Sequence, residues 1–181
     1  ALQAERQIGS LFKPFMFLAA FDQGVKPYDI ISDAPIRPGE IPRADPNWRP
    51  ANSDGKYYKE VRVRKALIES RNTSAIRVAA AAGMGNVVAV ARSSGFNINN
   101  IPLVPSSFLG SWGASPETVA SAYTIFPNGG TRFRPYYIQA IKDRSGKTLW
   151  KNGPIAYQAA DKKSAWEVSR ILEDVNKTGT G

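Results

Sequence analysis

Gly9-Ser10-Leu11-Phe12-Lys13-Pro14-Phe15-Met16-Phe17-Leu18-Ala19-Ala20-Phe21 is the stretch on which the reading of this 181-residue chain turns. The apolar run beginning at Leu11 closes at Gly24, which predicts a buried helix with a glycine at its C-terminal end and Ser10 at its N-terminus. Pro14 is compatible with a first turn and disruptive deeper in a helix, so the helix does not extend far upstream. Ser10 and Lys13 are three residues apart, close to a full turn. Their side chains therefore share a face, with Cβ atoms about 5 to 6 Å apart and within reach of a hydrogen bond. A lysine enclosed by Phe12 and Phe15 has its charged form disfavoured, and the neutral amine can take a serine proton. Backbone N–H groups at such a helix start, including that of Ser10, are placed to face an oxyanion.

Alone, Ser-x-x-Lys says little, because about one match arises by chance in a chain of this length. Ser53-Asp54-Gly55-Lys56 is a second match, in a glycine-containing turn with no apolar run behind it. An ordinary N-cap is the competing reading of Ser10.

Composition narrows the chemistry. There is no cysteine, which excludes thiol nucleophiles, disulfides and thiolate metal sites. There is no histidine either, so a serine nucleophile here cannot have an imidazole base; Lys, Asp, Glu or Tyr remain. No cofactor or metal is implied. The formal charge of +9 suits a partner carrying carboxylates or phosphates. The basic residues are scattered, as in Arg62/Arg64/Lys65 and Lys162/Lys163, without a nucleic-acid-binding signature, so nucleic acid is not the expected partner. No stretch approaches the roughly 20 apolar residues of a membrane span, and Ala1-Leu2-Gln3-Ala4-Glu5-Arg6 has neither an initiator Met nor a signal-peptide pattern. Any anchor or export signal is expected outside these residues.

Along the chain, Lys26 to Asn52 carries six prolines without a period and reads as an extended surface excursion. A short helix is predicted from Val63 to Glu69 and a break at Ser70-Arg71-Asn72. A helix through Ala75, Ile76, Val78, Ala79 and Ala82 then stops at Gly83, and another runs from Val87 to Ser94. Ser115-Pro116-Glu117 is an N-cap followed by proline at the first helical position, with Val119, Ala122, Tyr123 and Phe126 spaced as a helix face. Asp143-Arg144-Ser145-Gly146 turns a β-hairpin between Tyr136–Lys142 and Thr148–Lys151, and a last amphipathic helix spans Ser164 to Val175.

Arg6-Gln7-Ile8-Gly9-Ser10-Leu11-Phe12-Lys13-Pro14-Phe15 closely resembles the first active-site motif of the penicillin-binding proteins, and Ser70-Arg71-Asn72, 60 residues later, resembles their Ser-x-Asn motif. Trp48-Arg49-Pro50-Ala51-Asn52, Asp54 to Tyr58, Ala75 to Ala79, and Ser115-Pro116 through Asn128-Gly129-Gly130 all look like segments of the class A transpeptidase domain. The resemblance covers essentially the whole chain. It implies an α+β, β-lactamase/DD-transpeptidase-like fold, with residues 1–181 as the central part of the domain and the flanking strands of its sheet outside them. It further implies a Ser10 acyl-enzyme formed from the penultimate D-Ala of a peptidoglycan stem peptide, with Lys13 as general base. Ser70 would relay protons to the leaving amine; Asn72 would hold the lysine and donate to the substrate backbone. β-Lactam antibiotics would acylate Ser10. The remainder of a parent protein, with a glycosyltransferase domain and a membrane anchor, would lie on the extracytoplasmic face of a bacterial membrane.

Lys177-Thr178-Gly179-Thr180-Gly181 matches the family's third motif, Lys-Thr-Gly, letter for letter. Only Asn176 separates it from the last predicted helix, whereas helix-to-strand loops usually take about 2 to 6 residues. Gly179-Thr180-Gly181 therefore reads as the helix exit, the true third motif being the alternative. A penicillin-binding sensor or scaffold without turnover, and a serine β-lactamase, are the competing functions. The β-lactamase would need a water-activating carboxylate that no segment here resembles.

Overall fold

The computed structural model describes residues 4–180, and the segment from Gly9 to Phe21 lies at its centre. Gly9–Phe12 forms a 3-10 turn that runs into helix α1, Lys13–Asp22. Pro14 explains the tight start: it has no N–H to offer the Ser10 carbonyl, so the Lys13 N–H donates there instead, three residues back rather than four. Residues three apart eclipse in a 3-10 turn, which stacks Ser10 over Lys13. Every residue from Lys13 to Phe21 is buried. A helix apolar on all sides belongs inside a domain.

Around α1 pack helices α3, Asn72–Ala82, α4, Met84–Ser93, and α6, Lys162–Thr178, with the short α2, Val63–Ile68, bridging α6 and α3. Gly83, at a positive φ of 84°, ends α3, and the chain bends by 92° into α4. Phe12, Phe15, Phe96, Trp112, Tyr123 and Phe126 meet mostly edge to face beneath the 3-10 turn, with ring centroids about 5 to 6 Å apart. No helix among the described residues is long and apolar enough to cross a membrane.

Among the described residues the strands form four separate antiparallel pairs. β1, Arg6–Gln7, pairs with β4, Gly113–Ala114; β2, Ile30–Ser32, with β3, Glu60–Arg62; β5, Thr131–Phe133, with β8, Ala156–Gln158; and β6, Ala140–Lys142, with β7, Thr148–Lys151. The β6–β7 hairpin is the one predicted. β2 lies inside the stretch read as an extended surface excursion; its ladder partner comes 30 residues later and leaves no local signal of a strand. Helix α5, Pro116–Tyr123, starts at the predicted Ser115 cap, whose Oγ accepts the Thr118 N–H at 3.1 Å. It ends before Phe126 because Thr124, Ile125 and Phe126 donate three residues back and tighten the chain out of the α-helix.

α6 is longer than expected at both ends. Asp161 caps it by accepting the Lys163 and Ser164 N–H groups. Lys177 and Thr178 then continue the helix, and Gly179 ends it. Lys177-Thr178-Gly179 is therefore a helix terminus and not a strand; Gly181 lies outside the described residues. Ser53-Asp54-Gly55-Lys56 is a surface turn closed by Asp54 Oδ1 on the Lys56 N–H at 2.9 Å.

Candidate active site

Ser10 is exposed at the start of the 3-10 turn, and the backbone holding it is pinned from two sides. Ile8 and Gly9 donate to the carbonyls of Trp112 and Gly110, both at 3.0 Å. Gly110, at φ 67°, packs so closely on Gly9 that a methyl group there would collide with the Gly9 backbone. The Tyr123 phenol, pushed up in pKa by burial, donates to the Leu11 carbonyl at 2.8 Å. The nucleophile candidate is thus held by a rigid framework rather than by a free loop.

Lys13 is 1% exposed. Its Nζ donates to the Ser70 carbonyl at 2.6 Å, to Ser70 Oγ at 2.9 Å and to Asn72 Oδ1 at 2.7 Å. Ser70 Oγ in turn lies 3.1 Å from Ser10 Oγ. The four expected side chains therefore come together, with one correction to the spacing argument. The direct Ser10–Lys13 hydrogen bond is not formed, because all three ammonium donors are spent on Ser70 and Asn72, and Ser70 stands between the pair. Burial, aided by the Arg71 charge, lowers the Lys13 pKa to about 8.

Ser70 owes its position to how α2 stops. The Ser70 N–H bonds to the Leu67 carbonyl at 3.1 Å and the Arg71 N–H to the Ala66 carbonyl at 2.8 Å, while Ser70 takes φ 52°. This is the left-handed helix stop usually made by glycine. A side chain there costs roughly 1 kcal/mol. The chain reverses at Ser70 and starts α3 at once, which is why Ser70 and Asn72 can face the same ammonium.

Beneath them is a buried polar network that sequence reasoning did not assign. Asp33, 0% exposed, accepts from Arg71 Nε and Nη2 at 3.0 and 2.8 Å, Thr73 Oγ1 at 2.8 Å, Ser74 Oγ at 2.8 Å and the Tyr58 N–H at 3.0 Å. Burial pushes its carboxyl up, but these donors outweigh burial and hold the pKa down at about 2. Arg71 also pairs with Asp54 at 2.8 Å, donates to the Lys56 carbonyl and stacks on Tyr58 with its guanidinium 4.8 Å from the ring centre. Asn52 and Asp54 fall in segments whose family likeness was visible, but nothing in the residues around Asp33 marks it as a hub.

The fold and this constellation define the class, and comparison with known proteins agrees. The family model "Penicillin binding protein transpeptidase domain" matches residues 1–181. The chain belongs to that family, in its class A branch. It is 38% identical over 188 residues to penicillin-binding protein 1A of Neisseria meningitidis serogroup A, covering 99% of this chain and 23% of that protein. The crystal structure of penicillin-binding protein 1A from Haemophilus influenzae superposes with a TM-score of 0.89 at 26% identity, over 100% of this chain and 31% of that one. The penicillin G acyl-enzyme complex of penicillin-binding protein A from Mycobacterium tuberculosis, at 18% identity, shares the fold with a TM-score of 0.87. The chain thus spans about a quarter of the length of the curated relative.

Proposed function

We propose that this chain is the central part of a peptidoglycan D,D-transpeptidase domain that works through a Ser10 acyl-enzyme and is inhibited by β-lactams. The observation that carries this reading is the unbroken hydrogen-bonded line from Ser10 through Ser70 to a buried Lys13. With Lys13 neutral, the line runs in the catalytic direction: Ser10 gives its proton to Ser70 Oγ as it attacks the carbonyl of the penultimate D-Ala, and Ser70 passes its own to Lys13 Nζ. When the tetrahedral intermediate collapses, the C–N bond breaks, the proton returns through Ser70 to the departing amine of the terminal D-Ala, and the acyl group stays on Ser10 as an ester. An acceptor amine from a second stem peptide then attacks the ester and restores the serine. A β-lactam follows the first half of this course, its ring amide taking the place of D-Ala-D-Ala.

Asn72 uses Oδ1 on Lys13 and one Nδ2 hydrogen on the Ala51 carbonyl at 2.7 Å. Its second Nδ2 hydrogen is left to bind a substrate backbone carbonyl. The parent protein, on this reading, also carries a glycosyltransferase domain and a membrane anchor and works on the extracytoplasmic face of a bacterial membrane. The test is peptide mapping of the full-length protein after benzylpenicillin treatment. An adduct on Ser10 is the expected result; an adduct elsewhere, or none on folded protein, overturns the reading.

Ser70→Gly separates the relay from the turn. Glycine relieves the left-handed backbone at the end of α2, so the melting temperature is expected to hold or rise, by up to about 1 kcal/mol in stability. The hydroxyl between Ser10 and Lys13 is gone, so the acylation rate is expected to fall roughly 100-fold. Stopped-flow acylation with a chromogenic cephalosporin, alongside thermal melting, checks both; a variant acylated at the normal rate excludes Ser70 from proton transfer.

A further inference from the structure

Helix α3 begins at Asn72, yet its own capping position, Arg71, makes no side-chain cap. The Arg71 side chain is committed to Asp33 and Asp54. The cap arrives from 20 residues earlier in the chain: Asn52 Oδ1 accepts the Asn72 N–H at 2.7 Å and the Thr73 N–H at 3.2 Å. The neighbouring Ala51 carbonyl takes Asn72 Nδ2. Two consecutive residues of one loop thus grip Asn72 by its backbone and by its side chain.

We propose that Asn52 is a positioning residue of the active site, holding Asn72 so that its amide oxygen is fixed on Lys13. The proposal rests on the reading of Ser10 and Lys13 given above. A rotated Asn72 amide would place Nδ2 against the Lys13 ammonium and Oδ1 against the Ala51 carbonyl, so the gripped orientation is the one that satisfies both. Asn52 is itself locked. It is 4% exposed, and its Nδ2 donates to Asp33 Oδ2 and Oδ1 at 3.2 and 3.3 Å and to the Lys56 carbonyl at 3.0 Å. A side-chain cap supplied by residue 71 would reach the N–H of Thr73 or Ser74 but not that of Asn72, and it would not tie Asn72 to the loop at Ala51. The remote cap couples the start of α3, the loop and the carboxylate of Asp33 into one unit behind Lys13.

The test is acylation of the full-length protein by a fluorescent penicillin, read as two quantities: the fraction labelled at saturation and the first-order rate of the molecules that label. Asn52→Ala is expected to keep full labelling and to slow each molecule roughly 10- to 100-fold, the size of effect that a misplacement near 1 Å brings. Asn52→Asp keeps the acceptor for α3 but sets a second carboxylate against Asp33, and it too is expected to slow the rate. Combining Asn52→Asp with Asp33→Asn restores one amide and one carboxylate to the contact and is expected to recover at least tenfold of the loss. Should Asn52→Ala fail to fold, this pair carries the test. A fall in labelled fraction at an unchanged rate, or a double variant that regains fraction but not rate, reduces Asn52 to a structural role and overturns the proposal. If the unaltered protein is not labelled on Ser10, the functional reading fails instead.

Discussion

Lys13→Met is expected to slow acylation about 100- to 10,000-fold while leaving the melting temperature within a few degrees of the unaltered protein. The rate loss follows from the proposed role of Lys13: without the amine the line through Ser70 has no base at its end, and positioned general bases contribute about 100- to 10,000-fold. The stability result is a balance. Burial and the Arg71 charge lower the Lys13 pKa from 10.5 to about 8. Below pH 8 the folded protein therefore carries a charge it holds less well than the unfolded chain does, at a cost on the order of 3 kcal/mol. Methionine removes that cost but strands the Ser70 carbonyl, Ser70 Oγ and Asn72 Oδ1, at about 1 kcal/mol each. The two nearly cancel. A drop in melting temperature above about 10 °C would show that Lys13 is chiefly a structural cation.

The same shift fixes the pH dependence. The acylation rate of the unaltered protein should rise about tenfold per pH unit up to about 8, where Lys13 becomes neutral, and level off above. Between about 8 and 10.5 the unfolded chain binds the proton that the folded one has lost, so this group's contribution to stability increases with pH across that window and is constant below it. The neutral fraction at pH 7 is about one tenth, against well under one thousandth for an unshifted lysine.

How far these relations could be read from the chain alone depended on distance along it. α1, α3 and the Ser115 cap are local: an apolar run, a glycine stop, a capping serine before proline. The meeting of Ser10 with Ser70 and Asn72 was accessible only through family likeness, since no spacing rule joins residues 60 apart. Even where the spacing was right, it misjudged the contact. A helical turn brings Ser10 and Lys13 to one side, but it cannot reveal that Ser70 enters between them from the end of another helix. Asn52 and Asp33 were the hardest to see. A neutral side chain capping a helix 20 residues away, and a carboxylate buried under donors from five residues, leave no periodicity or motif; each is set by tertiary packing alone.

Asp33→Ala is accordingly expected to be the most destabilising single change in this region, at about 3 to 5 kcal/mol, because it strands the buried guanidinium of Arg71 without its main counter-ion. For a chain of this size that corresponds to a melting temperature lower by roughly 10 °C. Arg71 retains Asp54 at 2.8 Å, but that carboxylate is 45% exposed and compensates weakly. The pH dependence distinguishes a charge effect from a packing effect. The Asp33 carboxyl is held at about 2 when folded against 3.8 for an ordinary aspartate, so its contribution is complete above pH 3.8 and is lost as pH falls towards 2. That contribution is about 2 kcal/mol. The melting-temperature gap between unaltered protein and Asp33→Ala should therefore be constant from about pH 5 to 7 and narrow below pH 4. A gap that stays constant into the acid range would mean that Asp33 acts through the space it fills and not through the charge it gives Arg71.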